Sequence, residues 1–163
     1  MLTASQQQFL AMAAAAAVAC ERDTKLPAAF TLAQAIFESG WGSSMPGNNC
    51  FGIKLDHHGS GIQYCLSAEF VNGTWEKKPE AFEKYATLAD CFIDHARLLT
   101  LGDPYIAAWA QYLQDQDLAG FVGRVGAVYG TDPKYREKIW EEMHSQSVIE
   151  AIASARKALS DVG

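Results

Sequence analysis

The stretch "LPAAFTLAQAIFESG", from Leu26 to Gly40, sets the terms for the whole chain. Pro27 suits the first position of a helix and Gly40 its C-terminal cap, so a helix is expected between them. Leu32, Ile36 and Phe37 leave most of its circumference apolar, and a helix of that kind is buried on several sides. The rest of the chain must therefore wrap around it. At 163 residues there is enough chain for one compact domain with a sizeable core. No internal repeat or Pro/Gly/Ser-rich linker divides it.

Before that helix, Ser5 as a cap and the Ala-rich run from Ala11 to Ala19 predict a first helix from Ser5 to Glu21. No Lys or Arg precedes the run, which argues against a secretory leader, and the run is too short to cross a bilayer. The segment "CFGIKLDHHGSGIQYCLSAEFVNGTWEKKPEAF" changes character, with aromatic and β-branched residues, a Gly-rich turn and an Asn72–Gly73 hairpin signal. It predicts a small antiparallel sheet of two or three strands near residues 50–76, with "EKKPEAFEK" as a charged, exposed run. Three helices should follow. The first covers "LADCFIDHARLLT" and the second "LAGFVGRVGAVYG". The last is capped by Thr131 or Asp132, opened by Pro133 and broken near Ser145. The expected class is α+β, a mostly helical single domain over residues 1–163 with one small β element.

Net charge is −6, and the 13 Lys and Arg are scattered, so nucleic acid and anionic membranes are poor partners. Four cysteines, Cys20, Cys50, Cys65 and Cys91, form no CxxC pair and nominate no zinc site. Cys20 and Cys91 read as core residues. Cys50 and Cys65, flanking the turn, offer a disulfide in an oxidising compartment. His57 and His58 share a surface turn, and His95 and His144 have no ligand spacing, so no metal is expected. Trp109 and Trp140 sit at helical positions and read as core.

The chemistry gathers at Glu38. Thr31, Gln34 and Ala35 share its helical face. A carboxylate at a helix C-terminus meets the negative end of the macrodipole, and dry surroundings penalise its charge further. Both favour a protonated carboxyl near neutral pH, which is what a general acid at a glycosidic oxygen needs. Gly40 and Gly42 would leave room for a bulky substrate beside it, and Trp41 would give an apolar wall for a sugar. Tyr64 and Trp75 could line the same glycan groove. The blander alternative is a surface glutamate at a frayed helix end.

"LAQAIFESGWG" followed by "NNCFGIK", then "SAEFVNG", "AFEKYATLADCFIDHARLL" and "VYGTDPKYREKI", resembles the bacterial glucosaminidase family, glycoside hydrolase family 73, in order and spacing over residues 5 to 143. The resemblance implies a lysozyme-like α+β fold acting on peptidoglycan glycan strands without a cofactor. It implies Glu38 as general acid, Glu69 as a second carboxylate, Tyr129 as an aid at the sugar, and Asn49 and Phe51 as residues shaping the motif after the helix. Two positions depart from the family pattern: Cys50 stands where leucine is usual, and Gly130 where alanine is usual, which would loosen Tyr129.

Carboxylate separation decides the outcome of glycoside hydrolysis, and sequence does not give it. Glu69 would be the second carboxylate, a water-binding group or a solvated strand residue, with Glu76, Glu80 and Glu83 as competitors. Alternatively the substrate's 2-acetamido group acts, with Tyr129 stabilising the intermediate. The expected function is an endo-β-N-acetylglucosaminidase, deployed as an antibacterial effector toxin, a type VI secretion effector among them, or as a phage lysin. The chain would be a monomer, made without a signal peptide and acting in the periplasm or cell wall of a target cell. A toxin would have a cognate immunity protein plugging the cleft. The alternatives are a muramidase or lytic transglycosylase of lysozyme-like fold, and a glycan-binding module without catalysis.

Overall fold

The computed structural model describes residues 1–71, 73–130 and 134–161, with side chains for all of these except residues 67–71 and 75. Seven helices and one hairpin make up the described residues. Helix α1, Ala4–Thr24, is followed by α2, Ala28–Ser39, and by a short 3-10 turn at Pro46–Asn48. Strands β1, Gly61–Val71, and β2, Thr74–Lys84, come next. The remainder is α3, Leu88–Leu101, α4, Ile106–Asp115, α5, Leu118–Tyr129, α6, Tyr135–Met143, and α7, Gln146–Ser160.

Helix α2 is the axis, as its composition requires. Every residue from Phe30 to Ile36 is buried. Leu32, Ala35 and Ile36 enter one apolar cluster with α1, α3, α7 and the 50–53 loop. Phe30 and Ala33 enter a second with α3, α4, α5 and α6. Phe30 meets Phe121 of α5 edge to face, with centroids 5.2 Å apart. With an apolar surface on most sides, α2 serves both clusters. Lys25 in the left-handed conformation closes α1 and Pro27 leads into α2. Trp109 is buried in the second cluster and Trp140 packs against it.

Several expectations are corrected. Helix α1 is capped by Thr3 through a reciprocal bond with Gln6, not by Ser5. The β element is the expected small antiparallel one, a two-stranded hairpin whose strands run over Gly61–Lys84, from Gly61 opposite Lys84 to Val71 opposite Thr74. "EKKPEAFEK" lies within β2: a two-stranded ribbon has only edge strands, so Pro79 and the surrounding charges are tolerated. Five helices follow the hairpin instead of three, because α4 was not anticipated and the last helix breaks at His144–Ser145, close to the expected point. The expected roles of Thr131, Asp132 and Pro133 fall outside the described residues.

Glu83 is not exposed. It is 1% accessible, and its carboxylate accepts the backbone N–H groups of Asp56 at 2.7 Å, His58 at 3.2 Å and Gly59 at 3.0 Å. Burial alone would raise its pKa, but these donors outweigh it and hold the group below the ordinary carboxylate value. Glu83 thus latches the 55–60 loop to the hairpin base. All four cysteines are free, so the Cys50–Cys65 bridge that an oxidising compartment would permit is not formed in this structure. Cys50 instead lies in the core, its Sγ 3.8 Å from that of Cys91. No helix among the described residues is long and apolar enough to cross a membrane.

Candidate active site

Glu38, the penultimate residue of α2, is half-buried. It lines a cleft of about 180 Å³ between the end of α2 and the hairpin, with Asn49, Gln63, Cys65 and Phe82 among the walls. A larger hollow of about 510 Å³ lies between α1 and α7, but alanine, leucine and serine line most of it and Glu150 is its one ionisable side chain. It has no chemistry to offer. Burial raises the Glu38 carboxyl above its ordinary value of 4.5, and a hydrogen bond with Tyr135 opposes this without cancelling it.

Three tyrosines from separate segments surround that carboxyl. Tyr135, at the start of α6, is buried and accepts a bond from Gln34 Nε2 at 2.9 Å, and its hydroxyl lies near enough to Glu38 for each group to shift the pKa of the other. Gln34 lies one turn before Glu38 on the same face of α2. Burial first, and then the Glu38 charge, raises the hydroxyl pKa of Tyr105. Tyr129 is raised well above the ordinary value by burial, then by Tyr135 and Glu38.

Tyr129 is anchored from behind. Its hydroxyl donates to the Phe51 carbonyl at 3.2 Å, and its ring lies nearly parallel to that of Tyr135 with centroids 6.0 Å apart. Phe51 is buried and stacks on His95 with centroids 3.7 Å apart. His95 is fully buried, neither ring nitrogen has a hydrogen-bond partner, and burial drives its pKa down to about 3, so the ring stays neutral. Asn49 fixes the loop in between: its Nδ2 donates to the carbonyls of Ile53 at 2.9 Å and Glu83 at 3.0 Å, and its Oδ1 accepts from Ile53 N at 2.9 Å.

Of the residues nominated from sequence, Glu38 and Asn49 share the cleft, while Phe51 and Tyr129 stand behind it. Tyr64 is 74% exposed and alternates with Gln63 and Cys65, which places it on the opposite face of β1 from the cleft. Trp41 is turned away too, lining hollows toward α1 and α6. The room expected beside Gly42 is also absent: at φ +77°, a Cβ there would sit 2.4 Å from the Phe9 ring of α1, so the glycine serves helix packing. The side chains of Glu69 and Trp75 lie outside the described residues. Gln34, Tyr105 and Tyr135 were not nominated. Gln34 carried a signal, its place on the Glu38 face, whereas Tyr105 and Tyr135 are brought in only by the fold. Among the described residues no group of three or more His, Cys, Asp and Glu side chains is placed to hold a metal.

Known proteins resemble this chain in sequence and in fold. The chain is 34% identical over 149 residues to an autolysin of Enterococcus faecalis, covering 84% of this chain and 20% of that protein. It is 34% identical over 145 residues to a probable N-acetylmuramidase of Lactococcus lactis subsp. cremoris, covering 82% of this chain and 32% of that one. The chain therefore spans only a fifth to a third of these curated relatives. The crystal structure of the catalytic domain of the autolysin Auto from Listeria monocytogenes superposes with a TM-score of 0.77 over 93% of this chain and 89% of that one, at 22% identity, which bears on the fold alone. The architecture is α+β and lysozyme-like, with a small two-stranded antiparallel sheet among its helices. The family model described as mannosyl-glycoprotein endo-beta-N-acetylglucosaminidase matches residues 14–147, and the chain belongs to this glucosaminidase family.

Proposed function

We propose that the chain is a peptidoglycan hydrolase domain, an endo-β-N-acetylglucosaminidase in which Glu38 is the general acid. One observation carries the reading: a half-buried carboxyl, raised above its ordinary pKa, lines a cleft at the end of a buried helix. A relative named peptidoglycan hydrolase, from Salmonella typhimurium and 30% identical over 146 residues, supports the substrate class. Held protonated, Glu38 donates to the glycosidic oxygen as the bond to the sugar breaks, and its carboxylate recovers a proton from the incoming water. Tyr129 is proposed to aid at the sugar from behind the cleft, its hydroxyl donating a hydrogen bond to the Phe51 carbonyl and so fixing the loop that carries Asn49. Glu69 is proposed as the second carboxylate.

Digestion of purified sacculi tests the bond cleaved. New reducing ends of N-acetylglucosamine are expected. Reducing N-acetylmuramic acid or its anhydro form would move the assignment to a muramidase or lytic transglycosylase, the second reading, which the N-acetylmuramidase relative favours. Use as a toxin or lysin is a proposal of the same kind. A neighbouring gene for an inhibitor that covers the Glu38 cleft would support the first, a holin gene the second.

The cleft itself has a chemical handle. Cys65 is half-exposed on its wall, whereas Cys20, Cys50 and Cys91 are buried, with burial pushing the Cys20 thiol up to about 11. A bulky maleimide at neutral pH is expected to label Cys65 first and abolish glycan cleavage, and Cys65→Ser should resist the reagent. Full activity of the labelled protein would place the glycan elsewhere.

A further inference from the structure

Tyr135 does more than a core aromatic requires. Its ring packs edge-on against Phe37, with centroids 5.3 Å apart, and lies 6.0 Å from Tyr129. A phenylalanine would fill both contacts. What distinguishes the residue is its hydroxyl, which lies between two groups of α2, the Gln34 amide and the Glu38 carboxyl. Since Gln34 Nε2 donates to the hydroxyl oxygen at 2.9 Å, the single hydroxyl proton is left to point at Glu38. A hydroxyl that accepts a hydrogen bond is also a stronger donor, because the bonds polarise one another.

Gly130 makes room for this arrangement. A Cβ at that position would lie 2.5 Å from Cδ2 and 2.6 Å from Cγ of Tyr135, closer than packed atoms approach. The backbone there is extended, at φ −116° and ψ 138°, so any residue could adopt it. The missing methyl therefore matters through the Tyr135 ring and not through chain conformation.

We propose that Gln34 and Tyr135 are positioning residues for Glu38, the Gln34 amide aiming the Tyr135 hydroxyl at the carboxyl and the bare Cα of Gly130 letting the ring reach it. The inference rests on Glu38 acting as general acid. A hydroxyl donor favours the carboxylate that forms when the proton leaves, so the bond strengthens as the glycosidic bond breaks and is worth most in the transition state. It also holds the acid strong enough to give up its proton, against a burial that would otherwise keep it weak.

The groups facing Glu38 limit what else could account for a pH effect. Tyr105 approaches ahead of α4, Tyr129 from α5 and Tyr135 from α6, and all three hydroxyls are raised. The hairpin presents Cys65 and, opposite it in the register, Glu80, which is paired with Lys54 at 3.0 Å. Helix α2 has no ionisable residue besides Glu38.

The test compares wild type with Tyr135→Phe, Gln34→Leu and Gly130→Ala. It reads the pH dependence of kcat on soluble glycan fragments, the titration of the Glu38 side-chain carboxyl by carbon-13 NMR, and the melting temperature. Loss of the donor should move the alkaline limb of the profile and the Glu38 midpoint upward together, by about one to two pH units in Tyr135→Phe. The plateau kcat should fall about tenfold or more with KM little changed. Gln34→Leu should shift both in the same direction by less, and Gly130→Ala should follow Tyr135→Phe by displacing the ring. An unmoved limb and midpoint in folded Tyr135→Phe overturns the inference. Should that variant fail to fold, the same result in Gly130→Ala and Gln34→Leu overturns it. Activity surviving in Glu38→Gln would instead defeat the general-acid reading, with the NMR midpoints still reporting on the hydrogen bond.

Discussion

Glu38→Gln is expected to lower turnover on peptidoglycan by about 10²–10⁴-fold while the protein stays folded. Glutamine matches glutamate in shape and still offers Tyr135 an oxygen to donate to, but it has no proton to give a leaving sugar. The stability effect runs the other way. Because the folded protein raises the Glu38 pKa, this carboxyl contributes stability that is fully present below its unfolded pKa and is lost as pH rises through the folded value. Once the pH passes the folded value, the wild type carries a charge in a half-buried site that the variant lacks. Glu38→Gln should therefore melt at or above the wild-type temperature on the alkaline side of the Glu38 midpoint, with the difference shrinking toward pH 4. A variant that loses activity and stability together would point to a structural glutamate.

Phe51→Ala should be the most damaging single change near the site, at about 3–5 kcal/mol by chemical denaturation. The ring is buried between His95 and Phe92, with the Phe92 centroid at 5.0 Å. Its removal also uncovers an imidazole whose nitrogens have no partner. Activity should fall further than the folded fraction does, since the Phe51 carbonyl anchors the Tyr129 hydroxyl. Phe51→Leu, which keeps most of the volume, should restore much of both. Wild-type activity in folded Phe51→Ala would remove Tyr129 placement from the account.

The central helix and its carboxyl were legible because their causes are local. Pro27, Gly40 and an apolar surface on nearly every side are enough to bound α2 and bury it, and Glu38 then falls at its end. The hairpin was legible from its Asn72–Gly73 turn signal, although its second strand runs on to Lys84. The run read as charged and exposed belongs to β2. Glu83 shows the limit of such reasoning: its partners are backbone amides of residues 56, 58 and 59, which leave no mark in side-chain pattern. Tyr135 lies 101 positions from Gln34, and only the packing of α6 on α2 joins them. Trp41 adjoins Glu38 in sequence, yet the left-handed turn at φ 60° carries it away from the cleft.

The most direct measurement is the carbon-13 titration of the Glu38 side-chain carboxyl in the folded, unliganded wild-type protein. A midpoint clearly above 4.5, the ordinary value for glutamate, is the predicted result. A midpoint at or below 4.5 would mean a carboxylate already ionised well under neutral pH, and proton donation from Glu38 would have to be abandoned.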